Sequence, residues 1–375
     1  MTRKISVGLV GMGFGAEFAP IYASHPDVKR IVVCDTDEER AKTASEQSGA
    51  DEWTTDFHSL LSDSSVDAIH LVTPIPLHGK QSVAVLNSGK HCACTVPMAT
   101  SLDDIKAIIG ALEKSGKYYS MMETQVYHRA TLWVKEFARK GGFGKIQMLR
   151  GAHYQDMENW PSYWAGLPPM WYGTHAIAPI LDIAGCRAVR VTCLGTGYMR
   201  KELHEQYGNP FPMETALFWL EDGRAAEATR ALFNSAREYS ESFNVYGEDA
   251  CFEWAQSGEE KPVLFRLSAL GERPGARTTT KELIDIPDYA HLLPQEIGQF
   301  TQKGTDPTHR AFIHGGGHGG SHPHMVHDFV RAIIEDRKPY VDEIRGADWT
   351  AAGVCAHESA MRGGESVEIP SFGRY

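Results

Sequence analysis

The sequence predicts an α/β chain of two domains: an N-terminal doubly wound parallel sheet, then a C-terminal α/β domain built on a large, open, mostly antiparallel sheet. Three observations predict it. Short apolar strands alternate with helical segments through the first third of the chain. A glycine-rich turn follows the first of those strands. After about Tyr127, strand-like segments succeed one another with few helices between them. The expected boundary lies between residues 125 and 126, giving domains 1–125 and 126–375, and 375 residues are enough for a core in each.

The elements are read in order. Ile5 to Val10 is a buried strand, and Glu17 to Ser24 continues a helix opened by the glycines. Ile31 to Cys34 is a second strand ending at Asp35, followed by a helix over Asp37 to Gln47. Ala68 to Val72 is a third strand ending at Thr73-Pro74. A helix at Gly79 to Leu86, a strand at His91 to Cys94, a helix at Leu102 to Lys114 and a strand at Tyr118 to Met122 complete the alternation. A helix at Thr131 to Lys140 opens the second domain. Strands are expected at Ile146–His153, Val189–Leu194, Glu214–Leu220, Ala226–Leu232, Glu241–Tyr246 and Ala250–Trp254, with turns at Gly223 and Gly247-Glu248-Asp249. Residues 258–308 read as irregular, and helices close the chain at His324–Glu335 and Trp349–Arg362.

Composition removes several classes of function. Hydrophobic residues are 42% and charged residues 23%, which is globular. With 37 basic and 48 acidic side chains the net charge is −11, so neither nucleic acid nor an anionic membrane is an expected partner. No segment reads as a signal peptide or a membrane span. The 7 cysteines are scattered without zinc or redox spacing and read as buried reduced thiols of a cytoplasmic protein.

The strongest motif is Gly11-Met12-Gly13-Phe14-Gly15-Ala16. Gly11 allows a tight turn after the strand, Gly13 lets backbone approach a pyrophosphate, and Ala16 permits close helix–strand packing. The helix start then offers N–H groups to phosphate. Asp35, at the end of the second strand, would accept hydrogen bonds from a ribose diol and repel a phosphate, which favours NAD over NADP. Thr73, Pro74 and His78 stand at the carboxyl edge, where a nicotinamide contact is expected; an ordinary strand-end turn explains His78 equally well.

Taken with Gly89-Lys90-His91 and the turn at Pro97, this order resembles the Gfo/Idh/MocA oxidoreductases over essentially the whole chain. The resemblance implies a Rossmann domain, a C-terminal domain on an open sheet, and oxidation or reduction of sugars and related polyols. One departure is informative. The family usually carries Glu-Lys-Pro where this chain has Thr95-Val96-Pro97, so no lysine role carries over. Met121-Met122-Glu123 with Tyr127 and Arg129, and Gly142-Phe143-Gly144-Lys145-Ile146, resemble the NAD-dependent glycosidases of the α-N-acetylgalactosaminidase type, which also lack that lysine. Tyr172-Gly173-Thr174-His175 resembles their Tyr-x-x-His segment, and His153, beside Tyr154, aligns where they carry a tyrosine.

The resemblance implies that His175 is the base that takes a hydroxyl proton and that Tyr172, three residues earlier, assists at the oxygen. Without it, His175 reads as a buried histidine at a helix start. Glu123, Gln125, His153 and Tyr154 are expected to face substrate. Trp164 belongs to an aromatic loop, Trp160 to Tyr172, suited either to sugar C–H faces or to a subunit contact. The segment His314 to His327 holds 5 histidines among glycines, at His314, His318, His322, His324 and His327. Its spacing fits no familiar metal site, and none is expected; substrate contact through His318, with Ser321 capping the next helix, and a purely structural role stay open. The expected activity is NAD-dependent oxidation of a ring secondary hydroxyl, plausibly at carbon 3, in a homodimer or homotetramer. Its rivals are a glycosidase that recycles its NAD and a non-catalytic NAD-binding regulator.

Overall fold

The computed structural model describes residues 3–258, 260–270, 275, 277–302, 304–305, 313–314 and 317–374. The chain divides into two compact units. The first comprises Met1–Arg129 and Asp288–Ala347, the second Ala130–Pro287 and Asp348–Tyr375. The division is thus not the single cut expected at 125/126. Residues 288–347 return to the first unit because their apolar side chains are part of its core.

The first unit is built on a 6-stranded sheet in the order β3-β2-β1-β4-β5-β6. Its strands are β1 (Ile5–Val10), β2 (Val28–Cys34), β3 (Glu52–Thr54), β4 (Ala68–Leu71), β5 (His91–Thr95) and β6 (Tyr119–Met122), all paired in parallel. Helices α1 (Ala19–Ser24), α2 (Glu38–Ser48), α3 (Phe57–Ser62), α4 (His78–Asn87) and α5 (Leu102–Ser115) make the crossovers. The brief β3 and α3 escape the sequence reading, because three half-exposed residues and two turns of helix leave too short a pattern. α2 is capped by Asp37 and α5 by Ser101, each accepting a backbone N–H from the first turn.

Past β6 run α6 (Thr124–Tyr127) and α7 (Arg129–Arg139), the second carrying the chain into the second unit. There β7 (Ile146–Tyr154), α8 (Thr174–Ala184), β8 (Ala188–Thr196), α9 (Lys201–His204), β9 (Met213–Leu220), β10 (Ala225–Ala231), β11 (Ser240–Gly247), β12 (Ala250–Glu253), β13 (Val263–Leu267) and β14 (Thr279–Leu283) follow. The stretch expected to be irregular therefore contributes β13 and β14. They were illegible because β14, Thr279–Leu283, is an exposed edge strand without alternation of apolar and polar residues.

The chain then returns to the first unit through α10 (Gln295–Gly298), a short ribbon of β15 (Gly304–Thr305) with β16 (Ile313–His314), and α11 (His322–Glu335). Met325, Val326, Phe329, Val330 and Ile333 of α11 pack into one cluster with Ile5, Val7 and Leu9 of β1 and with Phe18 and Tyr22. That spacing is the buried stripe of an amphipathic helix. Finally α12 (Glu343–Met361) begins six residues before the expected start and leads to β17 (Val367–Glu368).

The second unit's sheet has 9 strands in the order β14-β13-β12-β11-β7-β10-β9-β8-β17. All neighbours are antiparallel except β7 and β10. α8 lies across β7, β10 and β11. All 7 cysteines are free thiols, most of them buried. Among the described residues no helix is long and apolar enough to cross a membrane.

Candidate active site

The glycine turn of the first unit is shaped by its neighbours. Gly11 has φ +94, and a Cβ there would stand 2.3 Å from the Val72 carbonyl oxygen, so only glycine fits. Gly13 is different: a Cβ there meets nothing within 4 Å. The protein itself does not require bare backbone at Gly13; a ligand lying on the turn would. Phe14 is half exposed, Gly15 is buried on Met12 and Val72, and Ala16 borders a cavity of about 280 Å³ with Met12, Asp37, Arg40 and Gln47. The turn leads into a single 3-10 turn, Gly15–Glu17, before the six-residue α1, so no long helix dipole stands behind it.

Asp35 is buried and holds this turn. Its carboxylate accepts from the Met12 N–H at 2.7 Å and the Asp37 N–H at 3.0 Å, with Arg40 3.3 Å away. Thr73 and Pro74 follow β4, and the Thr73 hydroxyl donates to Gln81. His78 is 1% exposed, with Nδ1 2.7 Å from the Pro97 oxygen and Nε2 2.8 Å from the Thr73 oxygen. It is engaged beneath the edge instead of facing a ligand.

Glu123 and Gln125 are buried in the same unit, and Glu123 Oε1 accepts the Gln125 N–H, capping α6. His318 also belongs to this unit, 5.9 Å from the Phe14 ring, and not to the unit that carries His175. The glycines beside it serve close packing: a Cβ at Gly319 would meet the His128 ring at 2.0 Å. Ser321 precedes α11 but makes no capping bond, and Gly315 and Gly316 lie outside the described residues.

The second unit holds a compact polar cluster. Along its central strands the inward positions are apolar until one row at one end of the sheet. There Glu241 of β11 pairs with His153 of β7, His153 with Arg230 of β10, and Arg230 with Glu214 of β9. All four side chains are buried. α8 brings His175 onto this row because Gly151, two residues before His153, has no side chain; a Cβ there would lie 1.9 Å from the Ala176 oxygen. The His153 and His175 rings are 5.2 Å apart, and Tyr172 Oη lies 3.1 Å from His175 Nε2. Glu241 Oε1 is 3.7 Å from His175 Nε2 and 3.9 Å from His153 Nε2, and it accepts the Tyr239 hydroxyl in a short hydrogen bond.

Arg230 ties the cluster together. Its guanidinium donates to the carbonyls of Tyr172, His153 and Ala231 and to Gln155 Oε1, and it lies 5.1 Å from the Tyr172 ring centroid. Burial lowers its pKa to about 10, so it stays cationic near neutrality. At the row's far end Glu214 accepts from the Met170 N–H and bonds His357 Nδ1 at 2.6 Å. Trp164 is buried against Tyr172, with ring centroids 4.9 Å apart and an Nε1–H that makes no normal hydrogen bond among the described residues. Tyr154 ends β7 half-buried.

Ligand atoms of His153, His175 and Glu241 lie within 4.8 Å of one another, a donor set that divalent ions use. The Arg230 charge on the same row opposes a cation there. A cavity of about 640 Å³ in this unit is lined by Lys135, Arg139, Asp182 and Arg224 and not by the histidines. Glu241, Tyr239 and Arg230 were not singled out from sequence. The available signal was strand alternation: each charged residue stands in the inward phase of its strand, Glu241 with Phe243 and Val245, Arg230 with Ala226 and Ala228.

Comparison with known proteins bears on the first unit directly. Residues 5–123 match the family described as an oxidoreductase family with an NAD-binding Rossmann fold. This is the NAD-binding domain of the Gfo/Idh/MocA oxidoreductases, to which the first unit is therefore similar. Over 99% of its length it is 25% identical to a glycosyl hydrolase family 109 protein of Saccharopolyspora erythraea, covering 84% of that protein. It is 24% identical to one of Porphyromonas gingivalis, covering 85% of it. Among solved structures, levoglucosan dehydrogenase in complex with NADH and levoglucosan superposes with a TM-score of 0.78 at 19% identity, covering 98% of this chain and all of that one. A UDP-N-acetylglucosamine 3-dehydrogenase from Acidithiobacillus ferrooxidans gives 0.71 at 18% identity, over 96% and 98% of the two chains. The first unit is an NAD-binding Rossmann domain, and the open loop at Gly13 and the placement of Asp35 fit that cofactor.

Proposed function

We propose that this protein is a Gfo/Idh/MocA oxidoreductase that oxidises a ring secondary hydroxyl of a sugar or glycoside to a ketone, at carbon 3, with NAD as acceptor. The observation that carries the reading is the Tyr172–His175 pair, held by Arg230 and backed by Glu241 in a buried setting. The hydroxyl proton passes to His175, directly or through the Tyr172 oxygen, as hydride leaves the carbon. Bound NAD supplies the hydride acceptor. The Arg230 cation against the Tyr172 ring favours negative charge developing on the phenol oxygen or on the substrate alkoxide beside it. Trp164, with its buried indole N–H, supplies an apolar face and a donor of the kind that suits a sugar ring. The sugar substrates named for the levoglucosan and UDP-N-acetylglucosamine dehydrogenases support the substrate class.

A second reading is favoured by the family 109 relatives, which are named as glycosyl hydrolases. Oxidation at carbon 3 acidifies the proton on carbon 2; its removal expels the aglycone from carbon 1 and leaves a carbon 1–carbon 2 double bond, water adds across that bond with its hydroxyl on carbon 1, and hydride returns to carbon 3. The extra base would come from the Glu241–His153 pair. The outer face of the second unit's sheet, which exposes Leu194, Leu217 and Trp219, is the surface on which we place a homo-oligomeric contact.

Product mass spectrometry on the protein with NAD and a panel of sugars and glycosides tests both readings. An intact product lacking two hydrogens supports the dehydrogenase. A freed aglycone with an unoxidised sugar establishes the glycosidase instead. No conversion across the panel removes both and leaves an NAD-binding regulator.

A further inference from the structure

The buried imidazole of His78 has an unusual pair of partners. Its two ring nitrogens face two backbone carbonyl oxygens, Pro97 at 2.7 Å and Thr73 at 2.8 Å. A carbonyl oxygen only accepts, and a neutral imidazole has one N–H. Both contacts are hydrogen bonds only if both nitrogens carry protons. In either neutral tautomer, a ring lone pair would face a carbonyl lone pair at hydrogen-bond distance in a site 1% exposed. We propose that His78 is a clamp between the turns after β4 and β5, protonated at neutral pH, and that its charge makes the site prefer reduced over oxidised nicotinamide.

The position in the sheet gives the clamp its consequence. Asp35, the ribose-binding candidate, follows β2, on one side of β1. Thr73 and Pro97 follow β4 and β5, on the other side. A dinucleotide lying across the carboxyl edge with its adenosine half at β2 has its nicotinamide half over the turns after β4 and β5. Oxidised nicotinamide carries a positive charge that hydride addition removes. A buried cation under those turns therefore raises the free energy of the oxidised form relative to the reduced form. The titratable groups facing His78, among the described residues, are Cys94 from β5 and His70 from β4. Burial and the His78 charge hold His70 neutral, with its pKa lowered to about 3, so His70 adds no competing charge.

The inference rests on NAD binding and is independent of the substrate proposed above. Nitrogen-15 spectra of histidine-labelled protein, with the His78 signals assigned by their loss in His78→Gln, read the protonation state without any variant being functional. Two protonated ring nitrogens at pH 7 are expected, and a neutral tautomer there would overturn the proposal. Dissociation constants for NAD+ and NADH, measured by fluorescence titration, read the consequence. The wild-type protein should favour NADH, and His78→Gln should reduce that preference by about tenfold, the effect of one charge at partly screened short range. An unchanged ratio in a folded variant that still binds both forms overturns the electrostatic claim. Failure of the wild-type protein to bind either form would instead remove the cofactor reading on which the proposal stands.

Discussion

At the scale of single residues, the second unit's site works through charges that water cannot reach. Arg230 is the clearest case, since its four acceptors include the backbone of both Tyr172 and His153. Arg230→Met removes the donors and leaves Glu241 and Glu214 without the intervening cation. A loss of about 3–5 kcal/mol in denaturant unfolding is expected, the cost of breaking a buried charge set by removing one member. Arg230→Lys should recover only part of it, because a point charge cannot serve a fork of acceptors. His175→Ala is expected to lower turnover by about two to four orders of magnitude, as for loss of a positioned acid–base group, with NADH affinity unchanged in fluorescence titration. Retained turnover would dismiss His175 as the base.

At the scale of elements, two glycines carry opposite lessons. Gly151 lets α8 approach β7 so closely that a single methyl group would overlap the Ala176 carbonyl. Gly151→Ala should therefore force α8 away from the sheet, costing about 1–3 kcal/mol of stability by overpacking. It should also lower turnover by separating His175 from the Glu241 row. Melting curves and turnover measured together check this, and an unperturbed variant would show that the close approach is not required. Gly13 has empty space around it. Gly13→Val should leave the fold intact by circular dichroism while abolishing NAD binding by calorimetry, since the new side chain would stand where the cofactor must lie. Normal NAD affinity in that variant would refute the role of the turn.

For the whole molecule, buried histidines set the response to pH. Burial is the leading cause that lowers His25, His91 and His324 to about 4 and His70 to about 3. In each the folded state binds its proton less readily than the unfolded chain, whose histidines titrate near 6.5. The unfolded state thus holds more protons between about pH 6.5 and 4, and stability falls as pH falls through that window. His78 has the opposite sign. Burial lowers it, but Cys94 and then the Pro97 and Thr73 carbonyls together outweigh burial and raise it to about 9, so its contribution is complete below pH 6.5 and is lost as pH rises through 9. Unfolding curves between pH 4 and 10 should therefore peak near neutrality and fall on both sides. A flat profile below pH 6.5 would contradict the buried neutral histidines.

Short windows of sequence set the local grammar of this protein. The alternation of strand and helix, the glycine turn at Gly11, and Asp35 at a strand end are set by backbone sterics and hydrophobic periodicity within short windows, so they could be read without coordinates. Tyr172 and His175 were legible as a spaced pair only through resemblance to a family. Tertiary structure decided what depends on partners distant in the chain. Residues 288–347 rejoin the first unit because α11 buries its stripe on β1, which no local pattern announces. Glu241, His153, Arg230 and Glu214 become one row only once strand order and register are fixed, for each is separately an ordinary polar residue on an alternating strand. His78 is read at the strand edge as a candidate nicotinamide contact. Its two carbonyl partners, 5 and 19 residues away in sequence, make it a clamp instead, because the acceptors fix its protons.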